Sequence, residues 1–192
     1  MQRKEDNKAQ KQKRNRQKIT VVILALVCIL ALVFVKKLYL DRNGTSRKKT
    51  DLNGPYAVER IVDGDTIVVN SEGSSVKIRL IGIDTPESVA PAMSGKENSE
   101  EGKTASEYLK ELIGGKEVYL EYDVSRNDQY GRVLAYVYLD DKTTMIQEVL
   151  LSEGYAMVMT YQPNVKYADE FARLQKQART EKKGFWGSGY YE

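Results

Sequence analysis

An uncharged apolar run near the N-terminus is the feature that most limits how this chain can fold. It covers residues 19–35, which is 17 residues without a charged side chain. As a helix the run would extend about 25 Å, and residues 38–40 add length toward a hydrocarbon core of roughly 30 Å. No small residues suited to signal-peptide cleavage follow it. The sequence therefore predicts one uncleaved transmembrane anchor over residues 19–40, in contact with a lipid bilayer.

The charges on either side of the anchor predict its orientation. Residues 1–18 form a basic segment with eight Lys and Arg, and six more lie within the fifteen residues after the run. By the positive-inside rule this excess favours a cytoplasmic N-terminus. We therefore expect a single-pass protein of the cell membrane whose globular domain, residues 55–192, is extracellular. Residues 41–54 are polar and lack apolar periodicity, so they predict a tether.

Composition removes several kinds of chemistry from the domain. The chain has no histidine and one cysteine, which excludes Ser-His-Asp and Cys-His catalysis, His- and Cys-rich zinc sites, and disulfides. Residues 1–50 carry 14 basic and 3 acidic side chains, whereas residues 51–192 carry 16 and 24. The domain is therefore acidic, and any anion that it binds needs locally placed positive groups.

The pattern of apolar residues predicts an α+β fold. Alternation and β-rich composition predict five strands, with Asp63-Gly64 as the turn of the first hairpin. Helical spacing predicts three helices, the second opening with a capping box formed by Thr144 and Gln147. This order is typical of a five-stranded OB-fold β-barrel with three packed helices. The predicted strands are 56–62, 66–69, 76–81, 117–122 and 132–139, and the predicted helices are about 100–113, 144–150 and 167–182.

Three acidic residues fall at strand ends, where they can share one cleft. Asp65 follows the first hairpin turn, and Asp84 and Glu87 follow the third strand. Close carboxylates repel one another unless a cation joins them. Because the chain offers no His and no usable Cys, the candidates are Ca²⁺ and Mg²⁺, which suit aspartates together with a backbone carbonyl such as that of Thr85.

Two arginines lie near the same strand ends. Arg79 lies on the third predicted strand, and Arg132 opens the fifth. A guanidinium stays protonated and binds two phosphate oxygens at once, so a pair beside a cation would hold a phosphodiester and offset transition-state charge. Glu87, if it is not a primary ligand, is placed to orient or deprotonate a water for in-line attack. Each motif alone is an ordinary turn or strand-face charge, but their order in one chain favours a site.

In these motifs and their order, the chain resembles the staphylococcal nuclease (thermonuclease) family. The similarity runs from about Tyr56 to Trp186. It implies an OB-fold barrel with three helices and a Ca²⁺-dependent phosphodiesterase that acts on DNA and RNA and leaves 3′-phosphate ends. The segments that carry the resemblance are 62–66 (VDGDT), 79–87 (RLIGIDTPE), 128–138 (DQYGRVLAYVY), 153–156 (EGYA) and 162–164 (QPN).

The resemblance also implies a role for each candidate residue. The calcium ligands would be Asp65, Asp84 and the carbonyl of Thr85, with Mg²⁺ as the less favoured cation. Glu87 would be the general base. The scissile phosphate would be held by the two arginines, Arg79 and Arg132.

Several positions depart from the family pattern by losing groups that bind substrate. Gln129 stands where the family has a lysine, and Met159 stands where it has a tyrosine of the nucleotide pocket. The loop 88–99 keeps a single lysine, Lys96. Together with the acidic domain, these changes predict weak ground-state affinity for polyanions and a KM that rises steeply with salt.

Two tyrosines are candidate substrate-binding residues. Tyr130 lies in the segment that carries Arg132, and Tyr161 lies two residues after Met159. An aromatic ring stacks on a nucleic-acid base of any sequence. The sequence therefore offers both rings as platforms for DNA or RNA bases, the alternative being that each tyrosine is a core or interface residue of the barrel.

Two other classes of function fit parts of the sequence. One is a catalytically silent OB-fold module that binds nucleic acid or protein, and the other is an anchored structural protein. Carboxylates in a phosphate cleft oppose an anion, which argues against a pure binding module. Chelation by EDTA distinguishes the classes, because it would stop the enzyme and leave a binder unaffected.

Overall fold

Alternating apolar side chains build the first three strands into an antiparallel meander. In β3 (Ser74–Leu80) the buried residues Ile78 and Leu80 alternate with Arg79. This strand pairs with β2 (Thr66–Ser71), which pairs with β1 (Asn53–Asp63). Successive strand residues point to opposite faces, so the alternation that fills the barrel places Arg79 on its outer face.

This computed structural model describes residues 51–88 and 99–191. The predicted basic segment 1–18, the anchor 19–40 and most of the tether 41–54 lie outside the described residues. The predicted tether extends too far, because residues 53 and 54 are already the start of β1, where Asn53 pairs with Leu120. The chain divides into two units, residues 1–50 and residues 51–192. Within the described ranges, no helix is both long enough and apolar enough to cross a bilayer.

Two further strands close the barrel. β5 (Glu117–Glu121) pairs antiparallel with β1 and with β6 (Val133–Tyr138), which runs parallel to β3. The order β1-β2-β3-β6-β5 forms a closed barrel. The predicted five-stranded barrel with packed helices is therefore confirmed.

Three helices cover the barrel, and a short fourth follows them. α1 (Glu100–Ile113) begins at Ser99, whose hydroxyl accepts a hydrogen bond from the Gly102 N–H at 2.9 Å. Its apolar face is buried in the same core as the inner faces of the strands. α2 (Ile146–Ser152), α3 (Ala168–Thr180) and the unpredicted α4 (Gly184–Ser188) follow.

The capping box predicted for α2 is wrong. The helix begins at Ile146 with Met145 as its N-cap residue, and no side chain caps it by a hydrogen bond. Gln147 is instead fully buried, where its Nε2 donates to the Ala135 carbonyl at 3.0 Å and its Oε1 accepts from the Val137 N–H at 3.1 Å. This amide therefore joins α2 to β6 by satisfying buried backbone groups.

A second, two-stranded sheet was not predicted. β4 (Ile83–Asp84) and β7 (Met157–Val158) each contain two residues and pair antiparallel. The Met159 N–H also donates to the Gly82 carbonyl at 3.0 Å. These bonds fix the chain directly after β3, where Asp84 lies.

Candidate active site

The tight turn between β1 and β2 buries a carboxylate, that of Asp65, which is 6% exposed. Its backbone carbonyl accepts a hydrogen bond from the Leu80 N–H at 2.9 Å, which holds the turn against the end of β3. At Gly64 a Cβ would lie 2.7 Å from the Thr85 Oγ1 and 2.8 Å from the Ala105 Cβ. Glycine is required here because a side chain would clash with these two groups. Backbone conformation is not the reason, since the φ of Gly64 is not positive.

Arg79 brings the two predicted metal-binding aspartates together. The register pairs Arg79 with Thr66, directly beside Asp65. Its Nη2 lies 2.9 Å from Asp65 Oδ2 and 3.1 Å from Asp84 Oδ1. Its Nη1 donates to the carbonyls of Leu80 and Ile83, both at 2.9 Å. One guanidinium therefore bridges both carboxylates and the strand end between them.

Asp84 and Thr85 reach the same point from the chain after β3. Asp84 lies in β4, opposite Met157 of β7. The Thr85 N–H donates to Asp65 Oδ2 at 3.2 Å, and Thr85 is buried. The predicted convergence of Asp65, Asp84 and Thr85 is thus present in the structure.

Burial has the largest effect on the pKa of Asp65. Removing Asp65 from water raises its pKa to about 7, although Arg79 acts in the opposite direction. The neighbouring carboxylates of Asp63 and Asp84 contribute smaller parts of this rise. The single positive charge of Arg79 therefore leaves part of the cost of burying this carboxylate uncompensated.

Glu87 lies three residues after Asp84, at the end of the same segment. Among residues 51–88 and 99–191, no group of three or more His, Cys, Asp or Glu side chains is arranged to hold a metal. Asp65 and Asp84 meet at Arg79, and the expectation that Glu87 shares their cleft stays a prediction.

The start of α1 positions the backbone of Glu87. The Ser99 N–H donates to the Glu87 carbonyl at 3.1 Å. At Gly102, a Cβ would lie only 2.2 Å from that same carbonyl oxygen. Sequence reasoning missed this contact, for which the only signal is a glycine in the first turn of a helix. The helix therefore docks directly on the peptide that carries the predicted base.

Arg132 is held by the Asp128 carboxylate, which the sequence analysis noted as part of a motif but gave no role. Its Nε donates to Asp128 Oδ2 at 2.6 Å, and its N–H donates to Asp128 Oδ1 at 2.9 Å. Burial alone would raise the pKa of Asp128, but these bonds and one from the Tyr130 N–H lower it overall. The Arg132 side chain remains about one-third exposed. Arg132 lies directly before β6, the strand that pairs with β3 and places Leu134 opposite Arg79.

The two predicted stacking residues have the most exposed aromatic side chains among the large hydrophobic residues of the described ranges. Tyr130 is 75% exposed and Tyr161 is 70% exposed. Their loops are joined by Asn164, whose Nδ2 donates to the Ser125 carbonyl and whose Oδ1 accepts from the Ser125 N–H, both at 2.8 Å. Sequence reasoning noted Asn164 as part of a motif but gave it no role, which the structure supplies as this clamp.

Comparison with known proteins decides the family. The family model described as "Staphylococcal nuclease homologue" matches residues 77–188, which is more than half of the chain. The chain belongs to the staphylococcal nuclease family. The matched span includes residues 77–80 of β3, both arginines, Asp84 and Glu87.

Relatives extend this similarity over most of the chain. The Thermonuclease of Staphylococcus intermedius is 39% identical over 173 residues, covering 88% of this chain and 98% of the relative. The Thermonuclease of Staphylococcus hyicus is 35% identical over 168 residues, covering 88% and 95%. Endonuclease YncB of Bacillus subtilis (strain 168) is 33% identical over 204 residues, covering 91% and 94%. All three are named as nucleases, which confirms the prediction of a phosphodiester hydrolase of this family.

The raised pKa of Asp65 predicts how stability depends on pH without added metal. Because the folded state keeps a proton that an unfolded aspartate loses near pH 4, the free energy of unfolding should fall as pH rises from about 4 to about 7. An Asp65→Asn variant lacks this titration. Relative to the parent, it should gain about 3 kcal/mol of stability between pH 5 and pH 8.

Urea unfolding in EDTA at the two pH values measures this difference. Asp140→Asn, a change at an exposed aspartate, is the matched control and should follow the parent at both pH values. Parallel pH profiles for the parent and Asp65→Asn would show that Asp65 is already ionised in the folded protein at pH 5.

Proposed function

We propose that this protein is a membrane-anchored, divalent-cation-dependent nuclease that hydrolyses DNA and RNA and leaves 3′-phosphate ends. The observation that carries the proposal is Arg79 between Asp65 and Asp84, at 2.9 and 3.1 Å. A pair of hard oxygen ligands and a phosphate-binding group thus meet at one point. Membership of the staphylococcal nuclease family supports the reaction class.

The proposed cation site consists of the Asp65 and Asp84 carboxylates and the Thr85 carbonyl. These are all oxygen donors, which suit Ca²⁺ or Mg²⁺ rather than a soft metal. The raised pKa of Asp65 supports the assignment, because it shows that Arg79 alone does not balance the buried charge. We assign Ca²⁺ ahead of Mg²⁺ because the family resemblance implies calcium and because Ca²⁺ tolerates an irregular set of ligands.

Arg79 and Arg132 are the proposed phosphate-binding groups. Each guanidinium is already oriented by carboxylates, Arg79 by Asp65 and Asp84 and Arg132 by Asp128. Groups oriented before substrate arrives stabilise developing charge without reorganising during the reaction. A bound cation would add positive charge at the phosphate oxygens and at the attacking water.

Glu87 is the proposed base. It would accept a proton from the attacking water, whose oxygen forms the new bond to phosphorus while the bond to the 5′ oxygen breaks. The departing oxygen takes a proton from solvent, so the products are a 3′-phosphate and a 5′-hydroxyl. Docking of α1 on the Glu87 carbonyl supports this role, because it fixes the backbone of the base.

The substrate strand is proposed to stack on Tyr130 and Tyr161. Both rings are largely exposed, and the clamp from Asn164 to Ser125 joins the loops that carry them. Exposed tyrosines stack on bases of any sequence, which fits DNA and RNA alike.

We propose that residues 19–40 anchor the enzyme in the cell membrane with the domain outside. The support is the uncharged run and the distribution of basic residues around it. A tether of residues 41–52, ending where β1 begins, would reach about 20 Å by random-coil scaling. The domain would then act close to the bilayer on polymers that arrive from the medium.

Removal of divalent cations should abolish activity. The full chain, purified in detergent and treated with EDTA, is expected not to cut a labelled single-stranded DNA oligonucleotide, and Ca²⁺ should restore cutting better than Mg²⁺ or Mn²⁺. End-group analysis should find 3′-phosphates. Undiminished cleavage in EDTA, or products with 5′-phosphates, would contradict the proposal.

Replacement of Arg132 should reduce turnover more than stability. Arg132→Ala removes an oriented charge, so kcat/KM should fall by about 10² to 10³, or roughly 3–4 kcal/mol of transition-state stabilisation. Arg173→Ala is the matched control, because this exposed arginine pairs with Glu170 on α3. Near-normal turnover of Arg132→Ala alongside the control would exclude the assigned role.

Membrane attachment should depend on the uncharged run. The full chain is expected in the membrane pellet after a high-pH wash, and a double variant Leu26→Lys/Leu30→Lys should move to the supernatant, because each central lysine costs about 3 kcal/mol. The control Thr45→Lys/Thr50→Lys adds the same charge to the tether. Full retention of the Leu26/Leu30 double variant in the pellet would disprove anchoring through residues 19–40.

A further inference from the structure

Arg126 is not among the proposed catalytic residues, but it lies beside them on the barrel and stacks on Tyr122. The guanidinium carbon of Arg126 is 4.4 Å from the centre of the Tyr122 ring. Arg126 is exposed, and it has no ion pair with any residue that the structure describes. The ring covers one face of the guanidinium, while a planar guanidinium presents its N–H donors at its edge.

Backbone pairing places Arg126 on the same outer face as Arg79. The Leu134 N–H donates to the Arg126 carbonyl at 2.8 Å, and Asn127 bridges Val133, so Arg126 is opposite Leu134. On its other side, Leu134 is paired with Arg79 of β3. Residues opposite one another in a sheet point to the same face, and two strand spacings separate their backbones by about 10 Å.

Arg132 belongs to the same group. Alternation along β6 places residue 132 on the face of residue 134, and the Asp128 N–H donates to the Arg132 carbonyl at 3.0 Å. The carboxylates of Asp123 and Asp128, which flank Arg126 in the chain, have other partners. Asp128 pairs with Arg132, and Asp123 accepts from the Tyr136 hydroxyl at 3.0 Å. Three arginines therefore surround Leu134 on one face of an acidic domain.

The aromatic neighbours of Arg126 match a nucleic-acid path. Ser125, directly before it, is clamped to Asn164 at the end of the turn that begins with Tyr161. Tyr130 follows in the same loop as Arg126. Alternating arginines and exposed rings along one surface combine phosphate contacts with base stacking.

We infer that Arg126, stacked on Tyr122, forms an additional phosphate subsite for a polynucleotide strand, beyond the scissile phosphate. This inference rests on the proposed nuclease function. The strand leaves the phosphate held by Arg79 and Arg132, crosses Leu134 and places a neighbouring phosphate on the free edge of Arg126. Longer substrates therefore bind more tightly than a dinucleotide, whose single phosphodiester does not reach Arg126.

The test compares a dinucleotide with a single-stranded 12-mer, both cut by the full chain in detergent. For Arg126→Gln, KM for the 12-mer should rise about three- to ten-fold with kcat unchanged, and the dinucleotide should be cut as by the parent. The plot of log KM for the 12-mer against log salt should become shallower by about 0.7, the value for one lost phosphate contact on a single strand. Arg126→Lys keeps the charge but loses the planar arrangement of N–H donors. Its KM for the 12-mer should therefore lie between those of the parent and Arg126→Gln.

Lys142→Gln is the matched control. Lys142 also lies 4.4 Å above a tyrosine ring, that of Tyr119, and should leave KM for both substrates unchanged. Equal KM changes for the dinucleotide and the 12-mer in Arg126→Gln, or an unchanged salt slope, would overturn the subsite.

A binding measurement separates this inference from the nuclease proposal. Fluorescence anisotropy of a labelled 12-mer in EDTA measures binding at the subsite while cleavage is prevented. Arg126→Gln should weaken this binding about three- to ten-fold. If the parent cuts neither substrate in Ca²⁺ but this difference persists, the subsite stands and the nuclease proposal fails. Identical binding by parent and variant overturns the subsite whether or not cleavage occurs.

Discussion

The contact of one guanidinium with two carboxylates organises this end of the barrel. Asp65 is nearly removed from water, and a buried carboxylate without a partner is costly. Arg79 offsets that cost and, through the Leu80 and Ile83 carbonyls, fixes the chain between β3 and β4. In the proposed mechanism the same guanidinium also binds phosphate. The two ligands therefore compete with the ion pairs of the unliganded protein, the cation for the two aspartates and the phosphate for Arg79. A cation that takes over the aspartates leaves more of Arg79 for phosphate, which would make the two ligands bind cooperatively.

Charged groups can cluster on the outer face of the barrel because they take no part in its core. Ile78 and Leu80 fill the interior, while Arg79 between them points outward. The parallel pairing of β3 with β6 then brings Arg132 to the strand beside Arg79, although 53 positions separate them in the chain. Sheet closure thus supplies the proximity, and the charges are oriented by local partners such as Asp128.

The meeting of Asp65, Arg79 and Asp84 could be predicted because it follows from strand ends and from alternation, which are short-range signals. Glu87 could not be placed in the same way, because its position depends on how closely α1 approaches, and Gly102 reveals that approach only in three dimensions. At Gln147 the sequence predicts a contact that the structure does not contain. Its spacing from Thr144 matches a capping box, but its buried amide bonds to the backbone of β6 instead. β4 and β7 are too short to carry periodicity, and Asp128 and Asn164 act through contacts that the motifs alone do not specify.

The pair of hydrogen bonds between Asn164 and Ser125 joins two loops that are 39 residues apart in the chain. Because they are tied, Tyr161 and the segment from Arg126 to Tyr130 form one rim rather than two independently moving flaps. Much of the conformational entropy of this rim is then lost when the protein folds, and less remains to be lost when a flexible single strand binds. For an acidic domain with little long-range attraction for polyanions, such a stiff rim is a way to retain affinity that added salt does not screen.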